Sequence, residues 1–465
     1  MSRMWITLCA ALLGGCQSAD FVRPDVPVPD TWPHLGADSS PATAAASLAD
    51  RLWAEVLPLP ELTALIDEAL AGSSDLRIAV ERIELARAQY GLERSAMFPG
   101  IDLSGSVTRQ RAPGFDPAKN TIGESSGLAL AVPAWEIDLW GRLADRTEVA
   151  RREVLASEAA AQGVRISLVA DVSARYLDLL DLDNQLEISH RTLESRRQSL
   201  RLTRARFDEG ISSIVDVRQA ESLLASSEVA LADQRRRLAQ AENSLAVLLG
   251  RNPGSIERHV RLDAIELPAT MLAGIPSALL PRRPDIQAAE ERLRGAHASV
   301  SAARKAYLPS LSLTTTLGLA SPDVGGLFDS GRHAWSVQPA AALPVFTAGA
   351  LDSGVALAES QQRILVEQYK ATIRQAFREV SDALVAIEQL GAQRAASRRV
   401  VLANRERLRV TKSRYVGGIT SYFEVLDAER QLFDSELSLS QSTRALHQAL
   451  VQLYVALGGG WSGAA

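Results

Sequence analysis

The longest uninterrupted pattern in the chain is a helical one, from about residue 143 to residue 206. This segment contains no proline and a single glycine, Gly163. Its apolar residues recur three and four positions apart, which places them on one face of an α-helix; they include Ile166, Val169, Val172, Tyr176, Leu179 and Leu180. Roughly 60 helical residues extend on the order of 90 Å. The many charges exclude burial in lipid, so the pattern predicts an amphipathic helix of a long bundle in water.

Shorter segments alternate between apolar and polar residues, which is the period of a β-strand. They lie at about 101–111, 126–135, 309–319 and 333–343. In the first of them, Ile101, Leu103 and Val107 share one face, whereas aspartate, serine and threonine occupy the other. Segments of about ten residues with one apolar and one small-polar face are typical of transmembrane β-barrels. The alternative is a pair of soluble hairpins that cap a helical bundle.

The same series of patterns occurs twice, which indicates an internal duplication. Residues 205–213 and 413–421 share one pattern, in which Gly210 and Gly418 are 208 residues apart. A second shared pattern centres on Pro99 and Pro309. Each half therefore predicts a first helix, two strands, a very long helix, a glycine turn and a return helix.

The duplication sets the expected domain boundaries. The first repeat is predicted at 61–250 and begins with a helix from about 61 to 96. The second repeat is predicted at 284–458, after a linker at 251–283. Gly210 and Gly418 mark the two turns, because a tight helix reversal favours a residue that adopts positive φ.

Four strands per chain cannot close a barrel around a lumen, and a membrane tolerates no open sheet edge. If the strands enter a membrane, the chain must therefore form an oligomer. A homotrimer is the simplest solution, because three copies supply twelve strands, enough to surround a pore.

Composition excludes several other classes of protein. The net charge of −5 over 465 residues gives no indication of nucleic-acid binding. The only cysteines are Cys9 and Cys16, and the six histidines lack metal-ligand spacing, so we expect no metal and no cofactor. Residues 123–127 fit the pattern G-x-S-x-G, but they lie in a loop before a strand rather than between a strand and a helix. We therefore expect no catalytic residues and no enzyme.

The N-terminus has the features of an export signal. Arg3 precedes a short apolar stretch that ends in Gly14-Gly15-Cys16, which resembles the lipobox of bacterial lipoproteins. This resemblance implies a signal peptide at 1–15 and covalent lipid on Cys16, with the outer membrane as destination. Residues 16–60 are rich in proline and small polar residues and predict a lipid-anchored, extended arm. Residues 459–465 are expected to form a C-terminal tail.

The motifs that carry a family resemblance are spread over the chain. They are Cys16 with the residues before it, and the segments 135–142, 280–286 and 415–430. From Cys16 to about Gly458 the sequence resembles the TolC/OprM-type outer-membrane efflux channels, in their NodT-like lipoprotein branch. This resemblance implies a mainly α fold with membrane β-strands: a trimeric 12-stranded β-barrel continued by a long periplasmic α-helical barrel. It also implies a periplasmic adaptor protein and an inner-membrane pump as partners in the export of drugs or other small molecules.

The resemblance also implies a gate at the periplasmic end of the channel. Its predicted residues are an acidic ring of Asp427, an apolar ring of Phe423, a second acid and a nearby arginine: Phe423, Glu424, Asp427 and Arg430. Arg430 follows Asp427 by three residues and is placed to pair with it. Without the family context, that pair would be interpreted as a solvated pair on a helix surface.

The resemblance assigns further roles around the two turns. Asp216 and Tyr415 occupy the positions of a link between helices that holds the end shut. Thr420 departs from the family pattern, since some members carry an arginine there, and this leaves the strength of closure open. The turns at Gly210 and Gly418 are the expected docking surface for the adaptor. The alternative functions are a periplasmic adaptor or other structural coiled-coil lipoprotein, and a lipoprotein enzyme.

Overall fold

The computed structural model describes residues 21–29, 32, 48, 53–113, 120–266, 276 and 279–459. The predicted signal peptide, Cys16 and the tail beyond residue 459 lie outside the described residues, and the predicted arm at 16–60 is described only in part. The chain divides into two compact units. Among the described residues, the first unit takes in 21–26 and those within 80–159 and 288–371, and the second takes in those within 27–79, 160–287 and 372–459.

Helices account for most of the described chain. The α-helices are α1 Trp53–Val56, α2 Pro60–Gly72, α3 Ser74–Ser95, α4 Arg142–Asp208, α5 Ile214–Leu248, α6 Leu279–Arg282, α7 Pro284–Lys305, α8 Ala350–Val416 and α9 Tyr422–Ala456. A short 3-10 helix occupies Leu262–Ala264. In the part of the chain that the structure describes, none of these helices is both long and apolar enough to cross a membrane.

The strands belong to the first unit and form one antiparallel sheet in the order β1-β2-β3-β4. Their bounds are β1 Asp102–Pro113, β2 Asn120–Ile137, β3 Ser310–Ser321 and β4 His333–Ala342. The second strand is longer than the predicted 126–135. It contains an irregularity between Val132 and Trp135, where Ala134 has a φ of +44°. Such a bulge bends the strand locally without ending the ladder.

The two faces of this sheet differ in the size of their side chains. One row of directly paired residues crosses all four strands with large apolar side chains that are 50–75% exposed: Leu103, Leu130, Leu317 and Trp335. The adjacent row, on the other face, carries only small residues: Ser104, Ala129, Gly318 and Ala334. The exposed apolar row has no covering element within the described chain, so this face is built to meet an apolar environment.

The main apolar core lies in the second unit. Buried side chains from α2, α4, α5, α8 and α9 pack together there, including Ile66, Tyr176, Leu245, Val380 and Leu450. Burying a side chain of this size contributes about 1.5–3 kcal/mol. The Tyr176 hydroxyl donates a 2.6 Å hydrogen bond to Glu61, so the polar end of this fully buried ring is satisfied. This core packs α2 against the long helices.

The helix lengths show the duplication directly. The long helices α4 and α8 each have 67 residues, and the return helices α5 and α9 each have 35. Each repeat also contributes two strands to the sheet. The predicted fold, mainly α with a duplicated unit of helices and paired strands, is confirmed.

The expectation of one first helix from about 61 to 96 is wrong. Ser73 has extended backbone angles and separates α2 from α3. The break lies where the backbone of Gly72 approaches that of Leu249, so closely that a Cβ at Gly72 would lie 2.5 Å from the Leu249 carbonyl oxygen. This close approach comes from tertiary packing, which is why the helical period did not reveal it.

Candidate functional site

The two glycine turns and the helix ends around them form the candidate site, and both lie in the second unit. We call residues 196–228 the first tip hairpin and residues 404–436 the second tip hairpin; equivalent positions differ by 208. Gly210 and Gly418 have φ values of +72° and +71°. Ile211 donates to the Arg206 carbonyl at 2.8 Å, and Ile419 donates to that of Arg414 at 2.9 Å. Both turns are therefore helix C-caps with a left-handed glycine.

The helix that follows each turn begins differently in the two hairpins. In the first, the Ser213 hydroxyl accepts from the Asp216 backbone N–H at 3.2 Å, and the Asp216 carboxylate accepts from the Ser213 N–H at 3.0 Å. This reciprocal pair is a capping box. Ser421 occupies the equivalent position in the second hairpin and makes no side-chain cap. Glu424, the counterpart of Asp216, is therefore exposed and not engaged in capping.

The predicted link between Asp216 and Tyr415 does not form in the single chain. The Asp216 carboxylate also accepts from the Ser212 hydroxyl at 2.9 Å. Burial acts to raise the pKa of Asp216, but the hydrogen bonds from Ser213 and Ser212 outweigh it, so the pKa lies below its ordinary value. The Tyr415 hydroxyl is buried and has no hydrogen-bond partner among the described residues. The link between these two residues stays a prediction.

Tyr415 belongs to a small apolar cluster that joins the two tip hairpins. Its buried members are Leu200, Val217, Ala220, Tyr415, Tyr422 and Val425. The rings of Tyr415 and Tyr422 lie 5.3 Å apart, and the Arg206 guanidinium stacks 4.7 Å from the Tyr415 ring centre. Burial raises the pKa of Tyr422 far above its ordinary value. The cluster therefore holds the ends of α4, α5, α8 and α9 together by apolar and cation–π contacts.

Asp427 forms its shortest contact with an arginine that the sequence analysis did not identify. The Arg407 Nη2 atom lies 2.7 Å from Asp427 Oδ2, and Gln431 donates to the same oxygen at 3.0 Å. The expected pair with Arg430 is present but longer, at 3.6 Å, and Arg430 is 66% exposed. The hydrogen bond from Arg407 lowers the pKa of Asp427. Arg407 lies twenty residues upstream on another helix, so only the register of the folded hairpin reveals it.

Several contacts recur at equivalent positions of the two hairpins. Arg204 pairs with Glu221 at 2.6 Å, and Lys412 pairs with Glu429 at 2.8 Å. Arg196 and Asn404 are also equivalent, and each donates to a carbonyl of the return helix and to a serine hydroxyl four residues later: Leu223 and Ser227 for the first, Gln431 and Ser435 for the second. These contacts form the frame that both hairpins share.

The Arg407–Asp427 pair is an addition to that frame. The equivalent residues of the first hairpin are Ser199 and Gln219, which carry no charge. The Ser199 hydroxyl donates instead to Glu429, at 2.9 Å. At the position predicted for the gate, the second hairpin therefore carries ion pairs that the first hairpin lacks.

The remaining predicted gate residues lie on the first turn of α9. Phe423 is 67% exposed, and its first-hairpin counterpart Val215 is 57% exposed. Ile211 and Ile419 at the turns are 65% and 71% exposed. In the described chain no group of three or more histidine, cysteine or acidic residues is arranged to hold a metal ion. The tips therefore offer exposed apolar side chains and charge.

The sequence matches the family described as outer membrane efflux protein over residues 65–251 and 275–459. It is 38% identical to the probable efflux pump outer membrane protein TtgC of Pseudomonas putida, over 99% of this chain and 96% of that protein. It is equally similar, at 38% identity, to the outer membrane protein OprJ of Pseudomonas aeruginosa, with 98% and 95% of the two chains covered. These relatives favour the channel interpretation over the adaptor alternative.

Solved structures give the same result. The open state of the MtrE outer membrane channel of Neisseria gonorrhoeae matches with a TM-score of 0.85 and 31% identity, over 96% of this chain and 98% of that one. A membrane protein from Pseudomonas aeruginosa matches with a TM-score of 0.88 and 34% identity, over 95% and 99% of the two chains. Fold, duplication and sequence agree, and the chain belongs to the outer membrane efflux protein family.

Proposed function

We propose that three copies of this outer-membrane efflux protein form a passive exit duct for drugs or other small molecules, closed at its periplasmic end by the second tip hairpin. The observation that carries the trimer is the open sheet. Strands β1 and β4 each pair with a single neighbour among the described residues, so both edges are free to pair with other chains. The exposed apolar row on one face would then meet lipid, and the small residues opposite would line the lumen.

The second tip hairpin supports a gate of opposing charges. Three Asp427 side chains around a threefold axis repel one another, and bound cations or protons would offset that repulsion. Arg407 supplies part of this compensation within each chain, since its guanidinium lies 2.7 Å from the carboxylate. The exposed ring of Phe423 would narrow the opening beside the charges. In this proposal Arg430 is a second cation near Asp427, at a longer distance than Arg407, and Glu424 adds a second acid.

The partners in the proposal are a periplasmic adaptor protein and an inner-membrane pump. The relatives named as efflux pump components support them. The exposed turns around Gly210 and Gly418, with Ile211 and Ile419, would form the docking surface for the adaptor. Lipid on Cys16 would anchor the chain in the outer membrane. Asp216 and Tyr415 would help to hold the tip shut, since Asp216 caps α5 and Tyr415 packs in the apolar cluster between the two tip hairpins.

The test combines two measurements, the size of the oligomer and its ion conductance. The full chain is purified in detergent, its oligomer is fixed by cross-linking, and its ion conductance is recorded in a planar bilayer. We expect a trimer whose conductance is low and rises when Asp427 is replaced by alanine. A monomer that conducts no ions, even as Asp427→Ala, would exclude the channel. A conducting trimer that is insensitive to Asp427→Ala would retain the duct and exclude this gate.

A further inference from the structure

A basic groove lies in the second unit and reaches the base of the second tip hairpin at Arg405 and Glu436. It encloses about 330 Å³ and is lined by α4, α8, α9 and the 3-10 segment at Leu262–Ala264. The cations that line it are all arginines: Arg191, Arg261, Arg394, Arg398 and Arg405. Arginine is the side chain whose planar fork matches carboxylate and phosphate oxygens in pairs, whereas lysine acts as a point charge.

Three of these arginines are already paired with carboxylates. Glu436, only 11% exposed at the floor of the groove, contacts Arg405 at 2.7 Å and Arg191 at 3.4 Å. At the rim, Arg261 contacts Glu187 at 3.0 Å and Asp263 at 3.2 Å. Each of these acids is therefore neutralised by a neighbour.

The other two cations, Arg394 and Arg398, have no hydrogen-bond or ion-pair partner among the residues that the structure describes. They are four residues apart on α8, so both lie on one helix face and face the same groove. Like charges at this spacing destabilise a helix when nothing compensates them. Arg394 also lies close enough to the buried His447 to affect its protonation. The pKa of His447 is lowered chiefly by burial, and the positive charge of Arg394 lowers it further. The helix therefore carries two uncompensated positive charges at a concave site.

The net charge of the groove indicates what kind of ligand would fit it. Five guanidinium groups and the carboxylates of Asp263 and Glu436 line the groove, and Glu187 pairs with Arg261 beside it; together these groups leave a net charge of +2. Beside the charged residues, the walls combine apolar side chains with three polar ones: Ile188, Leu262, Val401, Leu402 and Leu439, and Asn184, Ser440 and Thr443. The volume lies at the lower end of small-molecule pockets, which start near about 300 Å³. A doubly charged oxyanion with a small organic body fits both properties.

We propose that this groove binds a phosphate group, either free or carried by a small molecule such as a lipid headgroup. Arg394 and Arg398 supply two unpaired guanidinium groups that would donate hydrogen bonds to the phosphate oxygens. Arg261, next to the 3-10 segment, supplies a third guanidinium group to the site. The site uses none of the proposed gate residues, and both unpaired arginines lie outside the second tip hairpin. Binding would compensate the charge pair on α8 and hold α4, α8 and α9 together through one ligand.

The experiment measures binding to the full detergent-purified chain by calorimetry at constant ionic strength. The probes are inorganic phosphate and glycerol 3-phosphate, with chloride as the reference anion. The test variant is Arg394→Gln/Arg398→Gln. The control is Arg374→Gln/Arg378→Gln, an exposed pair with the same spacing on the same helix. We expect both wild type and control to bind, and the test variant to bind more weakly by roughly tenfold or more.

The two probes distinguish the sources of the phosphate group. Equal affinity for both indicates that free phosphate suffices, whereas tighter binding of glycerol 3-phosphate indicates a headgroup; either result supports the site. An equal loss of affinity in the test and control variants would overturn the proposal, because binding would then depend on the overall positive charge of the helix and not on this groove. It would also be overturned if neither probe binds and the test variant alone loses its oligomer, since the arginines would then contact a neighbouring copy of the chain.

Discussion

The two tip hairpins have the same backbone plan but differ in where their stability and charge are placed. The first begins its return helix with a capping box, and the residue that starts this helix, Ile214, is 47% exposed. The second has no such cap; it buries Tyr415 and Tyr422, buries one partner of its shared ion pair, and adds the Arg407–Asp427 pair. The duplication thus supplies a common frame, and the second copy carries the features that a gate requires. Because nearly every side chain has a counterpart 208 residues away, each prediction has a matched control.

The largest difference is expected for the aromatic residue that begins α9. Tyr422 is 3% exposed in the tip cluster, whereas its counterpart Ile214 is 47% exposed. Replacing Tyr422 by alanine should cost about 3–5 kcal/mol, because it removes a buried ring and leaves a cavity. Ile214→Ala should cost well under about 1 kcal/mol. Hydrogen exchange of the tip amides measures both values, and equal losses of protection would contradict the difference in burial between Tyr422 and Ile214.

One ion pair occurs at equivalent positions of both hairpins, as Arg204–Glu221 in the first and Lys412–Glu429 in the second. It should contribute to the free energy of unfolding only in the second hairpin, where one partner is buried. Glu429 is 4% exposed and accepts from Ser199 as well as from Lys412. Glu429→Gln should cost on the order of 2 kcal/mol, less than a fully buried pair would, because Lys412 remains 38% exposed and can be rehydrated. Glu221→Gln, its counterpart, should leave stability unchanged within error, since both Arg204 and Glu221 reach water. Chemical denaturation of the two variants side by side provides the measurement. A larger loss in Glu221→Gln would show that burial does not govern this pair.

A smaller effect is expected at the helix caps, and here the first hairpin should be the more sensitive of the two. Ser213→Ala should cost about 1 kcal/mol, because the Asp216 N–H loses its acceptor and the capping box opens. Ser421→Ala should have little effect, because that hydroxyl makes no cap. Exchange protection of the first turn of α5 and of α9 reports the two effects separately. Equal sensitivity at both serines would mean that the difference in capping is unimportant.

The capping box should also give the first hairpin a dependence on pH. Since the pKa of Asp216 is lowered in the fold, its carboxylate stabilises the helix start fully above the ordinary value of 3.8. That contribution is lost as the pH falls below this value and the carboxylate becomes protonated. Protection of the α5 start, corrected for intrinsic exchange, should therefore decline below about pH 4. It should not decline in Asp216→Asn, which has no group to titrate there.

Much of this arrangement could be predicted from local sequence. The helical period, the strand alternation and the repeated glycines predicted the fold class and both turns, because each depends on neighbouring residues. The break at Ser73 and the partner Arg407 could not be predicted, because both depend on packing between distant segments. Arg430 was chosen by its spacing from Asp427 along one helix, and the structure shows that the nearer cation comes from the other arm of the hairpin.

The most direct test of the central claim compares single-channel conductance in Asp427→Ala and Gln219→Ala, the same position in the two repeats. The charge and its Arg407 partner belong only to the second hairpin, so we expect Asp427→Ala to raise conductance several-fold. Gln219→Ala should leave it at the wild-type level. An equal rise in both variants, or a rise in Gln219→Ala alone, would contradict the account in which closure resides in the second repeat.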